Sequence, residues 1–124
     1  MYLLDSSVII EILAASQKGM EVRDLVKGNP VATTSIVYME VMSGVSRKIE
    51  TVADQFFASL TVLEFTLKDA REAVQIEKEL QKRGRPIERM DVLIAGTCKS
   101  QNAVFVTCDK GFRHIPGLEV EVIE

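Results

Sequence analysis

A three-layer α/β/α sandwich around a mostly parallel central sheet is the fold this sequence predicts, and three observations predict it. Short apolar runs of strand length alternate with longer segments of helical periodicity. Two helical segments separate most consecutive runs, which is the spacing of crossover connections between parallel strands. No Pro-, Gly- or Ser-rich linker, repeat or low-complexity segment divides the 124 residues, so the expectation is a single domain spanning 1–124.

The elements follow in order. Tyr2 to Leu4 is an apolar run that ends in Asp5-Ser6-Ser7, after which Val8, Ile9, Ile12 and Leu13 recur at helical spacing. Val22, Leu25 and Val26 mark a second helix that stops near Gly28-Asn29-Pro30. Val31-Ala32-Thr33 is a brief strand, and Thr34 or Ser35 caps a helix running through Val45. Residues 50–59 read as helix and 62–65 as extended. Ala70, Ala73, Val74, Ile76 and Leu80 form the apolar side of a longer helix that ends in the loop Lys82-Arg83-Gly84-Arg85-Pro86. A helix over 89–100, a strand over 104–106 and, after the Pro116-Gly117 turn, a last strand over 119–123 complete the order β-α-α-β-α-α-β-α-α-β-β.

Composition narrows the class. With 47% hydrophobic and 27% charged residues, 7 Gly and 3 Pro, the chain is neither collagenous nor disordered. Its apolar runs reach four residues, as in Ala103-Val104-Phe105-Val106, against the roughly 20 needed to span a bilayer. The N-terminus carries no basic region and has an acid at position 5, so the expected location is cytoplasmic, with no membrane partner. A balance of 15 basic against 18 acidic residues argues against wrapping nucleic acid by bulk charge and leaves only a local basic patch. Cys98 and Cys108 lie in apolar surroundings without a zinc-finger partner and read as buried thiols. His114, the single histidine, has no nucleophile at a telling spacing and reads as a surface or turn residue.

The informative feature is where four acids fall. Ligands of open α/β sheets collect beyond the carboxyl ends of the strands, and Asp5 closes the first strand while Asp109 follows the 104–106 strand. Each also suits a plain helix or turn cap. Glu40 has Ile36, Val37, Ser43 and Gly44 as its helical neighbours, a packing face onto which small residues would admit another element. A carboxylate there has to be neutralised, paired or bound to a metal. Asp91 opens the 89–100 helix, where it suits a plain cap and where the helix dipole favours an acid, and Arg89 is near enough in sequence to pair with it. Four acids on one edge repel unless a proton or a cation intervenes. An all-oxygen set with no His or Cys favours Mg²⁺ or Mn²⁺, and such sets serve phosphodiester hydrolysis. Ser6, Ser7 and Thr107 flank the strand-end acids as caps or as orienting hydroxyls.

These residues resemble the PIN-domain family, in particular the VapC-like toxin ribonucleases of prokaryotic toxin–antitoxin pairs. Tyr2 to Ile9 resembles the family's opening strand and first acid, and Thr34 to Gly44 its second, with Gly four residues after the Glu. Asp91 to Ala95 is similar to the third, and Val106 to Phe112 with Ile115-Pro116-Gly117-Leu118 to the closing segment. The resemblance implies an Mg²⁺- or Mn²⁺-dependent endoribonuclease in which Asp5, Glu40, Asp91 and Asp109 bind the metal and carry catalysis. It also implies a VapB-like antitoxin whose tail lies across the site, and a homodimer. The apolar helices over 8–15 and 36–45 would supply the antitoxin groove, and core packing accounts for most of their residues equally well. Ser7 stands where many relatives carry Asn, and Gly111 where many carry a further Asp, so one-metal and two-metal sites both stay open. Lys110 and Arg113 beside Asp109, and Lys82, Arg83, Arg85 and Arg89 before Asp91, are the candidate RNA-binding cations, with single-stranded or looped RNA as the target. The alternative from another class is a catalytically silent PIN scaffold that binds a protein through the same edge. A phosphatase-like use of Asp5 as nucleophile lacks a second acid in its turn.

Overall fold

The computed structural model describes residues 1–124. Strands β1 (Tyr2–Leu4), β2 (Val31–Thr34), β3 (Thr61–Leu63), β4 (Val104–Thr107) and β5 (Glu119–Val122) form one sheet in the order β3-β2-β1-β4-β5. Every pairing is parallel, including that of the last two strands. In the central register Leu3 lies between Ala32 on β2 and Phe105 on β4.

Helices α1 (Ser6–Leu13), α2 (Gln17–Val26), α3 (Ser35–Gly44), α4 (Arg47–Ala58), α5 (Leu67–Lys82) and α6 (Arg89–Ser100) connect the strands, and a 3₁₀ helix (Lys110–His114) joins β4 to β5. From β1 the chain winds outward through β2 to β3, then returns across the sheet to β4 on the other side. Right-handed crossovers in opposite directions place helices on both faces. The switch of direction opens a crevice between the carboxyl ends of β1 and β4.

The apolar pattern explains the core. Leu3, Leu4, Phe105 and Val106 are buried in the sheet, and Val8, Ile9, Val37, Ile76, Leu80 and Ile94 pack on it from the helices. Helices α5 and α6 pack tightly at Gly96, where a Cβ would stand 2.7 Å from the Asp69 carbonyl oxygen. Asp69, only 1% exposed, ties the two helices together: it accepts from Thr97 Oγ1 at 3.0 Å, from Ser100 Oγ, and from the Thr66 backbone in a capping box. Burial alone would raise its carboxyl, but these bonds outweigh that and hold it below the ordinary 3.8.

Element boundaries shift where polar residues hide the period. Helix α4 starts at Arg47 and α5 at Leu67, each three residues ahead of the apolar signal. Their first turns are solvent-facing, with Arg47, Lys48, Leu67 and Lys68 all exposed. Strand β3 occupies Thr61–Leu63, one residue earlier than the apolar run over 62–65, because Phe65 lies beyond the β2 pairing and Thr66 already caps α5. The 3₁₀ helix carries no apolar period and is unmarked in the sequence. Cys98 is buried as expected, and burial pushes its thiol up to about 12. Cys108 is only half-buried, since it follows β4 onto the sheet edge.

Candidate active site

Asp5 is 4% exposed and leaves the end of β1 as the N-cap of α1. Its Oδ1 accepts from the Ser6 backbone N–H at 2.8 Å, and its Oδ2 from Ser7 Oγ at 3.1 Å and Thr107 Oγ1 at 2.7 Å. Ser7 Oγ also accepts from the Cys108 N–H at 3.0 Å, and Thr107 Oγ1 from the Asp109 N–H at 3.0 Å. The three flanking hydroxyl residues are therefore one network that joins the ends of β1 and β4. Burial pushes the Asp5 carboxyl above 3.8 and the charge of Asp109 adds to this, against the hydrogen bonds from Thr107, Ser6 and Ser7.

Asp109 caps the 3₁₀ helix, its Oδ1 accepting from the Gly111 N–H at 2.8 Å. The capping readings of Asp5 and Asp109 thus hold together with their gathering on one edge. A Cβ at position 111 would lie 3.1 Å from the same Asp109 oxygen, so the missing side chain leaves room beside that carboxylate.

Glu40 projects from α3 with its Oε1 atom buried and without any hydrogen-bond partner. Burial raises its carboxyl, the charges of Asp5 and Glu88 add to the rise, and the Ser6 hydroxyl works the other way. The packing face expected around it is only half present. Ile36 and Val37 turn inward, but Ser43 and Gly44 are exposed, and nothing stands within 4 Å of a Cβ placed on Gly44. Helix α3 ends there, so no element comes to lie against the small residues.

Asp91 stands in the first turn of α6 and is not its cap. Burial, followed by the charges of Asp5, Glu40, Asp109 and Glu88, pushes its carboxyl up to about 6. Arg89 does not relieve it. The guanidinium pairs with Glu77 of α5 at 3.4 Å, because it lies two helical positions from Asp91 and so on another face.

Asp5, Glu40, Asp91 and Asp109 act electrostatically on one another, and none has a Lys or Arg partner. No three of them stand close enough to share an ion in this arrangement. Their chemistry suits a hard divalent ion nonetheless: an all-oxygen donor set, a buried acceptor with no donor, and a carboxyl held near neutral pH by like charges.

Sequence reasoning missed Glu88. It occupies the N-cap position of α6 yet makes no capping bond with its side chain. It lines a cavity of about 530 Å³ together with Asp91 and Asp109, and its charge presses on both Asp91 and Glu40. Its position before a predicted helix was a visible signal, overshadowed by Asp91. The candidate RNA-binding cations make no ion pair with these acids. Lys110 and Arg113 reach Glu124 at 3.2 and 3.7 Å, Arg83 pairs with Glu79 at 2.9 Å, and Arg85 lies against His114, which is exposed as expected.

A second cavity, about 380 Å³, runs between α1, α3 and α4 and is walled by Ile10, Leu13, Val41, Val45 and Ile49, with Glu40 at its border. The helices expected to form a groove do so with these residues, although Val41, like Val8, Ile9, Ile12 and Val37, belongs to the core.

Known proteins share this fold. The chain is 27% identical over 126 residues to the tRNA(fMet)-specific endonuclease VapC of Salmonella typhimurium, covering 97% of this chain and 96% of that one. It is 33% identical over 103 residues to ribonuclease VapC2 of Rickettsia felis, covering 78% and 77%. The crystal structure of Rickettsia felis VapBC2 bound to a promoter DNA fragment superposes with a TM-score of 0.87 at 27% identity, over 99% of this chain and 98% of that one. VapBC of Salmonella typhimurium, also DNA-bound, gives 0.84 at 28% identity, over 99% and 98%. The PIN domain model matches residues 2–118. An acid-lined crevice at the switch point of a parallel sheet, these relatives and that match together place the chain in the PIN domain family.

Proposed function

We propose that the chain is a metal-dependent endoribonuclease, the toxin component of a VapBC-type toxin–antitoxin system, and that residues 1–124 form one PIN-like domain. One observation carries the reading. Glu40 Oε1 is a buried acceptor with no donor, set among acids that raise one another's pKa and have no basic partner. A protein retains so unfavourable a group for a cation it binds.

Asp5, Glu40, Asp91 and Asp109 would hold Mg²⁺ or Mn²⁺. When bound, such an ion lowers the pKa of an attacking water and offsets the charge of the phosphate oxygens. Ser7 and Thr107 fix the Asp5 carboxylate by donating to Oδ2, and Ser6 holds Oδ1 through its backbone N–H. This leaves Asp5 little freedom to reorient when RNA arrives. Lys110, Arg113, Arg85 and Arg89 would steer the RNA backbone toward a protein of net charge -3.

A VapB-like antitoxin segment would lie in the groove of Ile10, Leu13, Val41, Val45 and Ile49, which leads to Glu40. Homodimerisation and a cytoplasmic location belong to the same proposal, and no helix is long and apolar enough to cross a membrane.

The test is RNA cleavage by the purified chain with Mn²⁺, with EDTA and with Asp5→Asn. Metal-dependent cleavage that Asp5→Asn abolishes is expected. Equal cleavage by both proteins, or none with any divalent ion, would overturn the reading. In that second case a silent scaffold is distinguished by the loss of saturable Mn²⁺ binding.

A further inference from the structure

Arg85 and His114 meet beside the acid-lined cavity. Arg85 immediately precedes Pro86 and Ile87, which line one wall, and His114 ends the 3₁₀ helix whose Gly111 and Phe112 line another. Arg85 Nη1 stands 3.3 Å from His114 Nδ1 and 3.2 Å from Nε2. The two ring nitrogens point in diverging directions about Cε1, so a donor in the ring plane faces only one of them at this range. Near-equal approach to both therefore sets Nη1 over the face of the imidazole, with its N–H directed at the ring.

Neither packing nor charge pairing accounts for this contact. Both residues are exposed, so the core gains nothing from it. Arg83, Arg89, Lys110 and Arg113 are each held by a glutamate, whereas Arg85 has no carboxylate partner. Its full charge and a flat aromatic surface are presented together, next to the crevice that holds Asp91 and Asp109.

We propose that Arg85 and His114 form a stacking seat for an unpaired RNA base adjacent to the phosphodiester that is cut, an inference that rests on the ribonuclease reading. Imidazole rings and guanidinium planes are both surfaces on which splayed bases stack. Every base has a π-face, so the seat selects unpaired structure more than sequence. A duplexed nucleotide, stacked on both sides, has no free face to offer. Arg85 adds attraction for the neighbouring phosphate, and Ile87 and Pro86 supply an apolar flank.

The test measures binding of a short unpaired RNA and of a fully paired RNA of the same strand, by fluorescence anisotropy, in the Asp5→Asn background so that the RNA stays intact. Circular dichroism melts verify that each variant is folded. His114→Ala is expected to weaken unpaired-RNA binding about tenfold, with its salt dependence unchanged. Arg85→Ala is expected to weaken it similarly and to reduce the salt slope by about 0.7, as loss of one phosphate contact does on a single strand. The double variant should fall little below either single one, since each residue orients the other. His114→Phe, which keeps a ring face, should restore most of the affinity lost in His114→Ala.

Unchanged affinity in His114→Ala, or equal losses on paired RNA, would overturn the seat and leave the nuclease reading intact. Absence of RNA binding in the background, with no metal-dependent cleavage by the unsubstituted chain, would overturn both.

Discussion

Thr107 Oγ1 donates a 2.7 Å hydrogen bond to Asp5 Oδ2, joining the ends of two adjacent strands across 102 positions of sequence. The same oxygen accepts from the Asp109 N–H at 3.0 Å. One hydroxyl thereby fixes one candidate metal ligand and the backbone of another. Thr107→Val keeps the shape, removes both bonds, and leaves Asp5 Oδ2 with Ser7 Oγ as its remaining donor and the Asp109 N–H without this acceptor. We expect a loss of about 1–3 kcal/mol in stability, read from the urea midpoint at constant m-value. Mn²⁺ affinity should fall by about tenfold or more in calorimetric titration, as when the partner that orients a ligand is lost.

The raised carboxyl of Asp91 predicts an unusual pH response. Its folded pKa of about 6 lies above the ordinary 3.8, so the folded chain holds this proton more tightly than the unfolded one. The corresponding stability is present below 3.8 and is lost as the pH rises through about 6. Asp5 and Glu40 are shifted the same way and reinforce the trend. The metal-free chain should therefore melt at a lower temperature at about pH 7 than at about pH 5. Mn²⁺ should raise the melting temperature more at the higher pH, where the acids are ionised. Equal melting temperatures in EDTA at the two pH values would contradict this.

Glu88 adds repulsion without capping α6 or pairing with a base. Glu88→Gln should lower the Asp91 pKa and stabilise the metal-free chain at neutral pH, observed as a rise in melting temperature. Carboxyl titration followed by NMR reads the shift residue by residue, and an unmoved Asp91 would show that Glu88 is screened by solvent.

Two glycines should respond oppositely to the same substitution. Gly96→Ala drives a methyl to 2.7 Å from the Asp69 carbonyl and 2.9 Å from Ala73 Cβ, and should cost about 1–3 kcal/mol through forced separation of α5 and α6. Gly44→Ala meets nothing within 4 Å at the end of α3, and should be neutral or stabilising by up to about 1 kcal/mol. Paired denaturation curves decide both.

The sheet was legible because its strands are short apolar runs and its crossovers are periodic. Val31 to Thr33 and Val104 to Val106 stand out for this reason, and both are buried strands. Polar helix starts such as Arg47 and Leu67-Lys68 were not legible, since propensity and capping there outweigh periodicity. Asp5 and Asp109 were visible as strand-end acids, and Glu40 as a charge among apolar neighbours. Sequence spacing misled for Arg89, whose partner Glu77 comes from α5, and for Ser43 and Gly44, which face solvent. Tertiary neighbours, and not local pattern, decide such pairings. The Arg85–His114 contact joins positions 29 apart, and no periodicity could have announced it.

The central place of β1 has a consequence for synthesis. This strand precedes the other four in the chain, yet one of its two neighbours, β4, is not translated until residues 104–107. A nascent chain that stops short of that point holds Asp5 without Thr107 and Asp109, and contacts of such long range form late in folding. The proposed metal centre therefore cannot assemble on a chain that stops short of β4, and any cutting activity it carries waits until that strand has emerged.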